Sequence, residues 1–319
     1  MLKAARILML MIAGLVFTTN SAHAEGKKYR IAYVARAQGD SFAAWLANAM
    51  VAESKKYPDV SVTVFDGQSR NELIASHIEN AVTNKFDLII VQPLDSEAQV
   101  APAKAAMAAG VKVMTCNNRI NDPSIPGIDA DPVQQAAENA KLALKQVPKN
   151  AHVVVLMGPP GNMHSDKRRV GWQQVFFDKR PDVKIVGEQI ANWNKDEAMQ
   201  KMEDWIQATG GKIDAIISMN DNMAVGALEA WKGSGAKGYP LAYGVDGTPE
   251  ACLYIKDGKM TSTTLQSAYA LAEKSMKMAH ELLTGAMKQP KMEFITAELI
   301  TKDNAAKYIE MHKKAGNMK

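Results

Sequence analysis

The residues able to do chemistry in this chain recur at one kind of place, the end of a short apolar run. "YRIAYVA" is followed by Arg36, Asp40 and Phe42, and "VKVMTC" by Asn117 and Asn118. "HVVVLM" leads into "GPPGNMHSDKR", which holds His164 and Arg168. Trp193 follows "VKIVGEQ", Asn220 and Asp221 follow "IDAIISM", Asp246 ends "PLAYGVD" and Gln266 ends "MTSTTLQ". The set comprises amides, a few charges and two aromatic rings. Aspartate accepts from hydroxyls, arginine donates and amides do both. An aromatic face covers the C–H face of a ring or carbon chain. Such a set suits a neutral, hydroxyl-rich molecule.

Catalysis finds no comparable set. "GPPG" lacks the G-x-x-x-x-G-K-[ST] phosphate-loop pattern, and no G-x-G-x-x-G follows the first apolar run. There is no G-x-S-x-G elbow, no His cluster at metal spacing and no legible nucleophile with its base. The sequence therefore implies a binder with no enzymatic role, cofactor or metal.

Several of these residues have two readings. In "NDN", Asn220 is expected to face a ligand, Asp221 to cap the following helix and Asn222 to form its first turn. On that reading Asn220→Ala costs affinity more than stability. Asp246, before "GTPE", can cap the next helix and still offer a carboxylate oxygen to a ligand. Phe42 opens a helix and could serve the core. Trp193 lies in the polar loop "NWNKDEA", where ligand stacking is favoured; Trp45, Trp172, Trp205 and Trp231 fall within helical patterns and read as packing. Arg168, beside Lys167 and Arg169, could be a solvated helix charge, and His164 could face ligand or solvent.

The elements that must position these residues alternate. Strand-like runs cover 29–35, 60–66, 86–92, 111–116, 152–157, 183–189, 213–219 and 240–246. Helical patterns lie between them at 42–56, 71–83, 97–109, 132–146, 165–180, 195–208, 222–232 and 249–256. Near-continuous apolar strands alternating with amphipathic helices predict an α/β protein whose parallel sheets are covered on both faces. Ligands of open parallel sheets bind beyond the strands' carboxyl ends, where the polar set stands. There are two such blocks, one before about Asp131 and one after. Between them "NNRINDPSIPGIDADP" reads as a loop or domain crossover. A helix at 268–284, a strand-like run "MEFITAELIT" (292–301) and a terminal helix close the chain.

The first 24 residues read as an export signal: basic Lys3 and Arg6, an apolar core from Ile7 to Phe17, and Ala22-His23-Ala24 at an A-x-A-like cleavage site. The apolar run is short for a membrane span. Without Lys3 and Arg6 the formal net charge of +4 becomes smaller still, so no nucleic-acid partner is implied. Cys116 and Cys252 read as buried, unpaired small residues.

Taken together, "YRIAYVARAQGDSFAAWL", "VFDGQSRNELIASHIENAVTNKFDLIIVQPLDSEA", "NDNMAVGALEAW" and "YGVDGTPEA" resemble, in order and spacing, the periplasmic sugar-binding proteins of ABC transporters, of the ribose and glucose/galactose-binding type. The resemblance covers essentially the whole chain after the export signal. It implies two Rossmann-like lobes joined by a three-segment hinge, residues 25–130 with 267–296 and residues 131–266 with 297–319. It also implies a sugar, polyol or cyclitol in the cleft between them, a permease and its ATPase as partners, a chemoreceptor as a further option, and a monomeric periplasmic protein. Position by position, the resemblance makes Asp40, Phe42, Asn117, Asn118, Arg168, Trp193, Asn220, Asp246 and Gln266 ligand contacts. Asn162 and His164 replace a His and an Asp of glucose/galactose binders, which argues against those hexoses. "KQVPKNAHVV" has too few oxygen ligands for the calcium loop of those relatives. Arg36 stands where relatives have a small or aromatic residue. It could favour a sugar acid, or it could pair with Asp40 or Asp246.

Overall fold

The computed structural model describes residues 28–287, 289 and 291–318; the export signal and its cleavage after Ala24 lie outside them. The chain starts in one sheet with β1 (Tyr29–Ala35), α1 (Ser41–Ser54), β2 (Val60–Asp66), α2 (Asn71–Thr83), β3 (Leu88–Val91), α3 (Val100–Ala108), β4 (Lys112–Cys116) and β5 (Gly127–Ala130). It crosses to a second sheet through α4 (Pro132–Gln146), β6 (His152–Met157), α5 (Met163–Val175), β7 (Lys184–Ile190), α6 (Lys195–Thr209), β8 (Ala215–Ser218), α7 (Asp221–Gly233), β9 (Leu241–Asp246), α8 (Pro249–Lys256) and β10 (Ser262–Leu265). It returns with α9 (Ala268–Thr284) and β11 (Met292–Ile295), then crosses again into β12 (Glu298–Ile300) and α10 (Ala305–Lys314).

The strand orders are β11-β5-β4-β3-β1-β2 and β12-β10-β9-β8-β6-β7. The first sheet is wholly parallel. The second is parallel except for β12, which runs antiparallel to β10, a departure from the all-parallel expectation. Central strands such as "LIIV" and "AIIS" are buried at every residue, as helices on both faces require. All three crossings, after β5, after β10 and between β11 and β12, gather at the same edge of the two sheets.

Two segments differ from expectation. The Pro- and Asn-rich stretch 117–132 contains β5, a four-residue strand that starts at Gly127, directly after Pro126. The run 292–301 is two strands in two different sheets, broken at Thr296 and Ala297. Its apolar pattern continues across the break because both pieces pair at a sheet edge. Cys116 and Cys252 are buried and unpaired, and Trp45, Trp172, Trp205 and Trp231 are core residues.

The turns after the strands double as helix starts. Asp40 caps α1, Asn162 caps α5 and Asn220 caps α7, each accepting from backbone N–H groups of the first turn. A cap oxygen and a ligand contact thus compete for the same short polar side chains at the same sheet edge.

A polar cleft between two lobes

The lobes meet over the carboxyl ends of both sheets. Asn162 Nδ2 donates to Leu94 O at 2.7 Å, and Ser96 N donates to Gly161 O at 3.4 Å. Gly161 has φ +76°, and a Cβ there would run into the Asp95 carboxylate of the other lobe. Only glycine permits this approach.

Behind these contacts lies a small polar cavity lined from both lobes. From the first lobe Arg36, Phe42, Asn117 and Asn118 line it; from the second come His164, Arg168, Trp193, Asn220, Asp246 and Gln266. Asp40 is the exception among the expected residues. It lines the outer part of the cleft, beside Arg36 and Trp193, because its Oδ1 is held by the α1 cap and by Arg36. Pro93 and Asn162 line the cavity too. Pro93 follows β3 and offers no side-chain hydrogen bond that would mark it in the sequence. Asn162 is at once the α5 cap and part of the lining.

On the first-lobe wall, Gln92 organises the residues. Its Oε1 accepts from Arg36 N at 3.0 Å and its Nε2 donates to Asn117 Oδ1 at 2.9 Å. Arg36 Nη2 donates to Asp40 Oδ1 at 3.0 Å, with both side chains buried, so of the two partners open to Arg36 the structure selects Asp40. Asn118 donates from Nδ2 to Pro93 O at 3.2 Å.

On the second-lobe wall, Arg168 is the hub, and it is 2% exposed. Its Nε and Nη2 donate to Gln135 Oε1 at 3.1 and 2.9 Å, Nη2 to Gln266 Oε1 at 3.0 Å, and Nη1 to Met219 O at 2.7 Å. The solvated-charge reading of Arg168 is therefore wrong. Burial lowers its pKa, opposed by Asp246, Asp129 and Asp221. Gln135, on the crossing helix α4, carries no signal in the sequence because it sits inside a helical pattern.

His164 is buried and bridges the lobes. Its Nε2 lies 2.8 Å from Asp129 Oδ1, while Arg168 Nη2 faces Nδ1 at 3.4 Å. This fits the neutral tautomer with its proton on Nε2. Burial pushes the His164 pKa down, outweighing the attraction of Asp129. Burial pushes Asp129 up, but His164 and the N–H groups of Asn118 and Ala130 hold it below the usual carboxylate range.

The "NDN" roles are redistributed. Asn220 Oδ1 accepts from Met223 N at 3.0 Å and is the cap, although Asn220 also lines the cavity. Asp221 is fully buried and accepts from Thr248 N, Thr248 Oγ1 and Thr263 Oγ1 at 2.8, 3.2 and 2.6 Å, tying the ends of β9 and β10 to α7. Burial pushes its carboxyl up to about 7. Asn222 Nδ2 donates to Trp193 O at 2.8 Å, anchoring the indole loop. Asp246 does not cap α8; Thr248 does. Burial holds the Asp246 carboxyl well above the usual range against the opposing charge of Arg168, and Gln266 Nε2 donates to it at 3.2 Å.

Backbone strain concentrates here. Asn117, Asn118, Trp193 and Asp246 have φ of +57°, +95°, +61° and +134°, conformations that persist only where the surroundings over-determine them. Trp193 also depends on Gly158, where a Cβ would clash with the indole ring. Among the described residues no group of three His, Cys, Asp or Glu is placed to hold a metal.

Comparison with known proteins agrees with this architecture. Residues 31–287 match the family model described as periplasmic binding protein domain. The chain is 30% identical over 237 residues to a xylitol-binding protein of Mycolicibacterium smegmatis, covering 74% of this chain and 67% of that one. It is 29% identical to a putative rhizopine-binding protein of Rhizobium meliloti, covering 93% and 96%. The crystal structure of the Caulobacter myo-inositol binding protein bound to myo-inositol matches with TM-score 0.83 and 27% identity, covering 90% of this chain and 98% of that one. Two lobes, a polar cavity between them and a match across most of the chain together make this protein a member of the periplasmic binding protein family.

Proposed function

We propose that the protein is the solute receptor of an ABC importer and binds a neutral monosaccharide, polyol or cyclitol between its lobes without turning it over. The observation that carries this reading is the cavity between the lobes, lined from both sides by hydroxyl-binding side chains and one indole. Relatives named for xylitol and myo-inositol support the ligand class. A solute touching both walls favours the closed arrangement by its differential affinity for it. The moving bodies are residues 25–130 with 267–296 and residues 131–266 with 297–319. The closed form then docks on a membrane permease driven by an ATPase. Residues 1–24 direct export and are removed after Ala24, leaving a monomeric periplasmic protein.

A thermal-shift screen of residues 25–319 against sugars, polyols and cyclitols tests the reading, because ligand raises apparent stability by mass action. A shift with at least one such compound is expected. No shift with any of them overturns the proposal.

A further inference from the structure

The first-lobe wall leaves an unusual remainder. Arg36 Nη1, Asp40 Oδ2 and Asn117 Nδ2 are all buried and have no hydrogen-bond partner, and each residue is 6% exposed. Buried polar atoms are almost always paired, so three orphans on one wall of a cleft mark atoms held for something that enters it. Arg36 and Asn117 line the inner cavity. Arg36, Asp40 and Trp193 line its outer part.

The chemistry of the orphans is mixed. Arg36 uses Nη2 on Asp40 Oδ1, and the same Oδ1 accepts from Ala43 N at 2.8 Å. What remains unpartnered is the Nη1 group of Arg36, a donor, the Oδ2 of Asp40, an acceptor, and the Nδ2 group of Asn117, a donor. A hydroxyl can accept from the first and donate to the second, and two adjacent hydroxyls can divide the work. A carboxylate can only accept, and it would meet the charge of Asp40 directly. On the opposite wall the N–H groups of Arg168 are largely committed to Gln135, Gln266 and Met219 O, which leaves an anion few donors there.

We infer that the Arg36–Asp40 pair is the specificity-determining element of the cleft, selecting an uncharged ligand with neighbouring hydroxyls and rejecting sugar acids. The inference rests on the solute-receptor reading above and sharpens it. Arg36 alone would make the site basic. Asp40 converts that charge into a donor–acceptor pair.

The test compares two probe panels by calorimetry on residues 25–319: xylitol, myo-inositol, D-ribose and D-allose against D-glucuronate, D-galacturonate and D-xylonate. Asp40→Asn keeps the α1 cap, since Asn caps as well as Asp, but removes the charge that balances Arg36. Arg36→Gln keeps a donor and removes the cation. The wild type should bind at least one neutral probe at least ~100-fold tighter than any acid. That ratio should fall at least ~10-fold in Asp40→Asn and should not fall in Arg36→Gln, with melting curves confirming that both variants fold. If acids bind the wild type as tightly as neutral probes, or if Asp40→Asn leaves the ratio unchanged, the inference is overturned while the receptor reading stands. If neither panel binds, the receptor reading itself fails and takes the inference with it.

Discussion

The two walls of the cleft are built on opposite plans. The second-lobe wall leaves no fully buried polar atom without a partner: Arg168 has a partner for nearly every N–H, Asp221 accepts from three donors and Trp193 is held by Asn222 and packs on Gly158. The first-lobe wall keeps open valences on Arg36, Asp40 and Asn117. A saturated wall presents a rigid shape, and an unsaturated one presents specific chemistry. Changes to the second should therefore cost stability and affinity together, whereas changes to the first should separate the two.

The largest effect is expected from Arg168→Ala. It strands Gln135, Gln266 and the Asp246 carboxyl in a buried site, and removing one partner of such a network costs ~3–5 kcal/mol. Chemical denaturation should show that loss, and calorimetry should show binding abolished. Wild-type stability with lost binding would break the comparison. Next is Gly158→Ala, which must displace the indole of Trp193. Overpacking of this kind costs ~1–3 kcal/mol, read as a lower melt and a changed tryptophan emission. Asn220→Ala removes the α7 cap, so about 1 kcal/mol of stability goes along with affinity. This revises the expectation that affinity would suffer more than stability. Asn117→Gly tests the open wall. Glycine tolerates φ +57°, which offsets the lost Gln92 contact, so the melt should hardly move while affinity falls by about 1 kcal/mol. A fall in stability matching that of Asn220→Ala would erase the distinction between the walls.

The smallest effect concerns pH. Because burial depresses the His164 pKa in the folded protein, its contribution is fully present above its unfolded value of ~6.5 and is lost as pH falls through the folded value. Protonation of Nδ1 would turn that atom against Arg168. The stability advantage of wild type over His164→Gln should be larger at pH 7.5 than at pH 5. An advantage that grows on acidification would mean the imidazolium is the bound form.

Much of this site was legible because strand ends are legible. Asp246, Gln266 and Trp193 each follow an apolar run whose length and β-branched content mark it as a strand, and topology then brings the ends together. What escaped has physical causes. Asp129 sits on β5, four residues that begin at Gly127 directly after Pro126, too short to show a period. Gln135 looks like any helix residue and matters only because the crossing helix passes behind Arg168. The exchange of roles between Asn220 and Asp221 is a matter of one residue of register. Both are good caps, and only the tertiary donors Thr248 and Thr263 decide which one is drawn into the core.

The crowding of all three crossings at one edge has a mechanical consequence. Thr296 and Ala297 alone join β11 to β12, and so short a tether spans no more than roughly 11 Å. In the proposed closure that edge would be a pivot that can turn but not part. The opposite edges, β2 and β7, carry the longest lever arm. The loops beyond them, with Gln68 and Ser69 on one side and Asn192 and Asn194 on the other, already border the outer cleft. Solute should enter and leave there, and a pair of labels on those two loops would record the full stroke, while a pair beside Thr296 would record almost none.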